Sequence, residues 1–275
     1  MKLYDSITNR EFKLLIKPDG LERRSKVAAL TDLIVNFCKQ NKVGFSHLDN
    51  AASGLRNVYF YDTPKEDFRR NNVILRVRES RQNIWVDDWC EVTLKYRSQD
   101  ITETSNFDPV PKTKTKSRLR FKQEILRGDT DGSMRILYSS NAILDAVPLD
   151  SLFDRSLGSV DKFFPGLVKL PIDKKLPLRI VGGAGNKVLE VSLPIGNLEF
   201  KGGVQAHCDI AIWLKRVGQP IIGELTFSYR VTDSNRLDHK AHKQADRFFQ
   251  NLQKELADWL QVGSTKTALI YDAQN

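Results

Sequence analysis

The chain has 275 residues, and 43 Lys and Arg against 34 Asp and Glu leave a formal net charge of +9 at pH 7. Hydrophobic residues make up 40% of the chain, which is enough for a real core and excludes global disorder. No apolar run is long enough for a transmembrane helix, and residues 1–12 lack the apolar core of a signal peptide. Cys38, Cys90 and Cys208 form neither a disulfide framework nor a zinc spacing, so we expect a cytoplasmic protein.

The excess positive charge predicts an acidic partner, which would be a nucleic acid, a membrane surface or a phosphorylated small molecule. The hydrophobic pattern predicts short strands interrupted by a few helices, within a single domain. In chain order, the predicted elements are a strand at 7–17, a helix at 21–40, a strand at 56–62, a short helix or turn at 64–72, strands at 73–80, 89–98 and 117–126, a partly helical insertion at 139–185, strands at 187–193, 206–215 and 222–230, a helix at 240–260 and a tail strand at 266–271.

Charged side chains recur at every second residue of the predicted strands, opposite apolar neighbours. Because successive side chains of a strand point to opposite faces, each strand has one charged and one apolar face. Three strands carry paired cations on the charged face, namely Arg76 with Arg78, Lys95 with Arg97, and Arg118 with Arg120. This pattern fits either an antiparallel sheet with one wet face or a closed barrel whose charged face lines the lumen.

A lumen with many cations and a few acids would suit a polyanion bridged to the protein by divalent cations. Arg and Lys hold phosphate oxygens, and Arg can do so with two parallel hydrogen bonds. Carboxylates hold Mg²⁺ or Mn²⁺, which prefer oxygen ligands. An open face of like charges would instead repel itself across neighbouring strands.

Several short motifs, in this order, resemble the CYTH superfamily, the triphosphate tunnel metalloenzymes. Glu11 and Lys13 resemble its E-x-E-x-K opening, and 59–64 followed by 75–78 resemble its tyrosine-aspartate-threonine and L-R-x-R strands. The residues Val92-Thr93-Leu94-Lys95 resemble its T-L-K strand, and 118–124 resemble its R-x-R strand. Lys266 resembles a late lysine of the family. The likeness runs from about residue 9 to residue 124 and continues more weakly to the end.

The resemblance implies an α+β fold, an antiparallel β-barrel tunnel with helices packed outside, and cleavage of a triphosphate with Mg²⁺ or Mn²⁺. Candidate substrates are inorganic triphosphate, thiamine triphosphate and nucleoside triphosphates. It implies that Glu11 and Glu224 are metal ligands and that Glu11 and Glu124 are catalytic carboxylates. Glu124 or Glu190 would be a further metal ligand or would orient the attacking water. The implied phosphate-binding residues are Lys13, Arg76, Arg78, Lys95, Arg118, Arg120, Lys122 and Lys266.

Two departures from the family pattern lower the negative charge of the expected metal site. Asn9 stands where the first Glu of E-x-E-x-K is expected, and Thr226 stands where a second Glu would follow Glu224. We expect weaker metal binding as a result, with Asp209 as a replacement ligand. A non-catalytic protein that binds polyphosphate through a degenerate metal site is therefore the alternative.

A nucleic-acid-binding barrel is a third hypothesis, and the aromatic residues argue against it. Base stacking would need aromatic side chains on the cationic face. Phe12, Tyr96, Phe121 and Phe227 instead fall on the apolar face of their strands. A small molecule that carries a triphosphate is the expected partner, with no membrane.

Overall fold

The computed structural model describes residues 6–48, 53–82, 85–148, 156–183, 186–236, 238–263 and 265–272. Its strands are β1 (Asn9–Ile16), β2 (Gly44–His47), β3 (Gly54–Asp62), β4 (Val73–Gln82), β5 (Trp85–Ser98), β6 (Ser117–Arg127), β7 (Met134–Pro148), β8 (Arg179–Ile180), β9 (Val188–Phe200), β10 (Val204–Arg216) and β11 (Gln219–Arg230). Its helices are α1 (Arg24–Gln40), α2 (Asp67–Arg70), α3 (Ile101–Asn106), α4 (Leu157–Phe163), α5 (His239–Glu255) and α6 (Lys266–Asp272).

Nine of the described strands close into a ring, in the order β3, β4, β5, β7, β6, β1, β11, β10 and β9. The pairing of Gly54–Val58 in β3 with Val188–Ser192 in β9 closes this ring. The other end of β9 pairs with β2, and β8 pairs with β3, so both short strands lie outside the ring. Among the described strands, only β1 and β6 pair in parallel. The predicted α+β fold, an antiparallel barrel with outer helices, is confirmed.

The apolar faces of the strands point outward and are covered by helices. Phe12 of β1 stacks on Phe227 of β11, with ring centres 4.4 Å apart, and Phe249 of α5 packs on both. Asp238 caps α5 by accepting hydrogen bonds from the backbone N–H groups of Lys240 and Ala241. On the other side, the outward faces of β4 and β5 pack together with α4. Burial of these faces forces the charged faces of the same strands toward the interior.

The expectation for 139–185 was partly wrong, because its first ten residues belong to β7. This strand pairs with both β5 and β6, and most of its residues are buried on either face. Such a strand shows no alternation of polar and apolar residues, which is why the pattern missed it. Among the described residues of this segment, helical structure begins at α4 and is followed by a 3₁₀ turn at Pro165–Lys169. Residues 149–155 and 184–185 of the predicted insertion lie outside the described part of the chain.

The predicted tail strand at 266–271 was also wrong, because these residues form α6. The helix packs against residues near the ends of β1 and β3, among them Leu15 and Phe60. Adjacent residues Ile270 and Tyr271 are both buried there, in one apolar cluster with Phe60 and Trp213. A strand would point two adjacent side chains to opposite faces. The Tyr271 hydroxyl also donates a 3.0 Å hydrogen bond to Asp62, the last residue of β3. No described helix has the length and hydropathy needed to cross a membrane.

Candidate functional site

The ring encloses a cavity of about 1170 Å³ whose wall is dominated by charge. Among the described residues, thirteen Lys or Arg and six Asp or Glu line it. Twelve of the predicted site residues lie in this lining, and they are Glu11, Lys13, Arg76, Arg78, Lys95, Arg118, Arg120, Lys122, Glu190, Asp209, Glu224 and Lys266. The thirteenth, Glu124, is fully buried and contacts Lys95 of the lining. The structure therefore brings the thirteen residues to one interior surface.

Strand register sets which predicted residues are neighbours across the wall. Glu11 on β1 is level with Glu124 on β6 and with Ser228 on β11. Two residues further along β1, Lys13 is level with Thr226, and Thr226 is level with Asp209 on β10. Asp209 thus lies next to the position where the family pattern expects a glutamate.

The first charged cluster surrounds the two catalytic candidates, Glu11 and Glu124. Lys13 Nζ lies 2.8 Å from a Glu11 oxygen and 3.3 Å from a Glu124 oxygen, so it bridges the pair. Lys122 Nζ lies 3.1 Å from Glu11, and Lys95 Nζ lies 2.5 Å from Glu124. The Ser139 hydroxyl donates a further hydrogen bond of 2.6 Å to Glu124. The two carboxylates are consequently surrounded by a larger number of cations.

These cations keep both carboxylates ionised. Burial would raise the pKa of Glu11, but the charges of Lys122 and Lys13 outweigh burial and lower it. Burial likewise opposes ionisation of Glu124, whose pKa Lys13 and Lys95 hold well below its ordinary value. Burial lowers the pKa of Lys95 to about 7, against the opposing effect of Glu124. The charge of Lys95 therefore changes near neutral pH.

A second charged cluster is built on Glu190 of β9 and Glu91 of β5. Arg78 contacts both acids, with nitrogen–oxygen distances of 3.4 and 3.0 Å. Arg56 lies 2.8 Å from Glu190, and Arg118 lies 3.1 Å from Glu91. Burial alone would raise the pKa of Glu190, but Arg78 and other cations of the wall lower it well below its ordinary value. These acids hold the arginines in place across the cavity.

Several guanidinium groups of the wall retain unsatisfied hydrogen-bond donors. The Nε atoms of Arg56, Arg76 and Arg78 are buried and have no hydrogen-bond partner. Arg76 and Arg120 also have no carboxylate within ion-pair distance among the described residues, and the Arg76 guanidinium donates a 3.3 Å hydrogen bond to the Thr93 hydroxyl. Burial and the neighbouring Arg78 charge lower the pKa of Arg76 to about 10. A buried donor without an acceptor costs about 1–3 kcal/mol, so these groups favour an oxygen-rich anion.

The remaining predicted residues, Asp209, Glu224 and Lys266, are all paired within the protein. Glu224 lies 2.7 Å from Lys266 Nζ, and Asp209 lies 3.1 Å from His207 Nε2. Burial raises the pKa of Asp209, and His207 opposes this effect.

Arg56 and Trp213 were not predicted as site residues, and Glu91 and Arg97 received no site role. The alternation of β5 did place the last two on the charged face together with Lys95. Arg56 shares its face with apolar Val58 and Phe60, so β3 showed no charged face. Trp213 had no signal, because an inward aromatic residue resembles an ordinary core residue.

The side chains present do not fit a resident Mg²⁺ or Mn²⁺. The described residues contain no group of three or more His, Cys, Asp or Glu side chains placed to share a metal ion. Each predicted ligand, Glu11, Glu224 and Asp209, already contacts a Lys or His. Asn9 and Thr226 also line the cavity but add no negative charge. A divalent cation here would meet a wall with excess positive charge.

No family model matches the chain, and no curated protein matches it in sequence. Its structure is similar to that of a candidate adenylyl cyclase from Hippeastrum with a dominant triphosphatase activity, at 13% identity and a TM-score of 0.46, over 98% of this chain and 97% of that one. A Pyrococcus horikoshii protein is 12% identical, with a TM-score of 0.38 over 96% and 99% of the two chains. A candidate adenylate cyclase from Bacillus halodurans is 11% identical, with a TM-score of 0.39 over 94% and 97%.

At such identities the similarity concerns the course of the chain, and no substrate, metal or activity follows from it.

Proposed function

We propose that the 275 residues act as one tunnel domain that binds the triphosphate group of a small molecule. The single observation that carries this proposal is the set of buried Nε atoms on Arg56, Arg76 and Arg78 that have no acceptor. A linear triphosphate is a chain of oxygen acceptors with several negative charges, and it would satisfy these donors and offset the excess positive charge.

The cations have different tasks in this proposal. Arg76 and Arg120 have no carboxylate partner among the described residues, so both are free to bind phosphate without breaking an ion pair. Lys13, Lys95 and Lys122 are held by Glu11 and Glu124, which fix their positions before the ligand arrives. Preorganised cations bind an anion more tightly because less side-chain entropy is lost on binding.

Hydrolysis of the bound triphosphate is the second candidate function, and Glu11 and Glu124 favour it. Glu11 lines the cavity and is ionised, so its oxygens can accept hydrogen bonds from a water molecule and orient it for attack. Glu124, level with Glu11 on the adjacent strand and fully buried, would hold Lys13 and Lys95 in place beside it. The lowered pKa of Glu11 makes it a weak base, so it would position the water and not deprotonate it. The surrounding Lys and Arg would stabilise the charge that develops on the leaving phosphate.

Calorimetric titration with tripolyphosphate tests the binding proposal, with inorganic phosphate and pyrophosphate as shorter controls. We expect one site per chain and an affinity that increases with the number of phosphates. Equal affinity for all three anions, or no heat for any, would refute the proposal.

Phosphate release from tripolyphosphate, thiamine triphosphate and nucleoside triphosphates tests hydrolysis separately, with Glu11→Gln and Glu124→Gln as variants. Turnover that neither variant reduces would eliminate the assigned role of these carboxylates.

A further inference from the structure

Lys266, the first residue of α6, places a positive charge in the lining of the tunnel. Its Nζ lies 2.7 Å from Glu224 Oε1, 4.0 Å from Glu190 Oε2 and 4.6 Å from the centre of the Trp213 ring. The side chain is only 14% exposed. The ammonium group is therefore held by two carboxylates from different strands and by an aromatic face.

These contacts use the oxygens that a hard divalent cation would need. Glu224 is the metal ligand that the family resemblance implies. The second glutamate expected two residues later is replaced by the neutral Thr226. Glu190 is already contacted by Arg56 and Arg78. With Lys266 included, the two acids face three cations within a wall of excess positive charge, which disfavours a divalent ion.

On the basis of the proposed triphosphate binding, we propose that Lys266 is a built-in counter-cation that replaces a divalent metal ion at Glu224. The tunnel therefore binds its polyphosphate without a resident metal.

The packing of α6 fixes this cation in position. Ile270 and Tyr271, on the turn that follows Lys266, are buried against Phe60 and Trp213. The hydrogen bond from Tyr271 to Asp62 attaches the helix to the end of β3. A charge anchored in this way is present at any metal concentration, whereas a bound ion must be recruited from solution.

Replacement of the metal by a lysine has two consequences. A chelator does not weaken polyphosphate binding, because no ion is removed from the site. Added Mg²⁺ weakens binding, because it neutralises part of the ligand's charge before the ligand reaches the cationic wall.

Direct titration with Mn²⁺, followed by electron paramagnetic resonance in the absence of any phosphate, tests the proposal. The wild-type protein is expected to bind no stoichiometric Mn²⁺ at concentrations up to about 1 mM. Lys266→Met releases Glu224 and is expected to create one Mn²⁺ site. Lys266→Arg keeps the charge and is expected to bind none.

Lys122→Met is the matched control, since it removes the same charge from the same wall. Glu11, the acid that Lys122 contacts, keeps Lys13 as a partner in this variant, so no metal site is expected. A stoichiometric Mn²⁺ site in the wild type, or no site in a folded Lys266→Met protein, would overturn the inference. Circular dichroism establishes that the variants are folded, and the wild-type and Lys266→Arg titrations decide the question if Lys266→Met fails to fold.

Calorimetry with tripolyphosphate in EDTA and in Mg²⁺ separates this inference from the proposed function. Tight binding in EDTA that weakens in Mg²⁺ supports both. Binding that requires Mg²⁺ leaves the triphosphate site intact and overturns the role of Lys266. The absence of binding under either condition overturns the proposed function itself, and the inference with it.

Discussion

Replacement of Arg76 by Met separates the cost of a buried, unsatisfied hydrogen-bond donor from the use of that donor in binding. Arg76 is partly buried in the wall, has a buried Nε without an acceptor and has no carboxylate partner among the described residues. Removal of an unsatisfied donor should stabilise the unliganded protein by about 1–2 kcal/mol. The same change removes charge-assisted hydrogen bonds to phosphate, each of about 1.5–3 kcal/mol, which corresponds to a loss of roughly 10- to 100-fold in affinity.

Arg118→Met is the matched control for this experiment. Arg118 is also a predicted phosphate ligand, but it is 39% exposed and already contacts Asp145 at 2.6 Å and Glu91 at 3.1 Å. Exposed ion pairs contribute about 0–1 kcal/mol, so we expect a loss of at most about 5-fold in affinity and no gain in stability. Urea denaturation and calorimetric titration with tripolyphosphate measure the two quantities. A less stable Arg76→Met protein with unchanged affinity would refute the reasoning, as would equal losses in both variants.

Three further predictions concern individual contacts of the site and of α6. The affinity for tripolyphosphate should fall as pH rises through about 7, because Lys95 loses its proton there. In Lys95→Arg this pH-dependent fall in affinity should disappear. A fall that persists in the variant would exclude Lys95 as its source. Glu124→Gln should destabilise the unliganded protein by about 3 kcal/mol, because Lys13 and Lys95 lose a buried counter-charge. In a thermal melt, tripolyphosphate should restore part of the lost stability. A variant as stable as the wild type without ligand would contradict the assigned pairing. Tyr271→Phe should lower the free energy of unfolding by about 1 kcal/mol, since it removes only the hydrogen bond to Asp62, and an unchanged value would mean that this bond does not hold α6.

The sequence predicted most of the ring because most strands have one apolar and one charged face. In β1, β4, β5, β6 and β11 the alternation identified the inward side chains before any strand order was known. β7 lacks that alternation because both of its faces are buried. α6 could not be recognised because its helical form depends on a cluster supplied by β3 and β10, with Phe60 and Trp213 as the principal contacts.

The pairing of charges within the site could not be predicted from the sequence. Glu11 and Lys122 are 111 positions apart in the chain, and their contact depends on the parallel pairing of β1 with β6. The contact of Arg56 with Glu190 depends on the pairing of β3 with β9 that closes the ring. Alternation along one strand gives the face of a residue, whereas its partner depends on strand order and register.

A crystal structure of the protein with tripolyphosphate, grown in EDTA, would show directly where the triphosphate binds. We expect a linear triphosphate inside the ring, with phosphate oxygens within hydrogen-bond distance of Arg76 and of the Nε atoms of Arg56 and Arg78. A triphosphate bound only on the outer surface, for example at the exposed lysines of 112–116, with the cavity wall unchanged, would contradict this expectation.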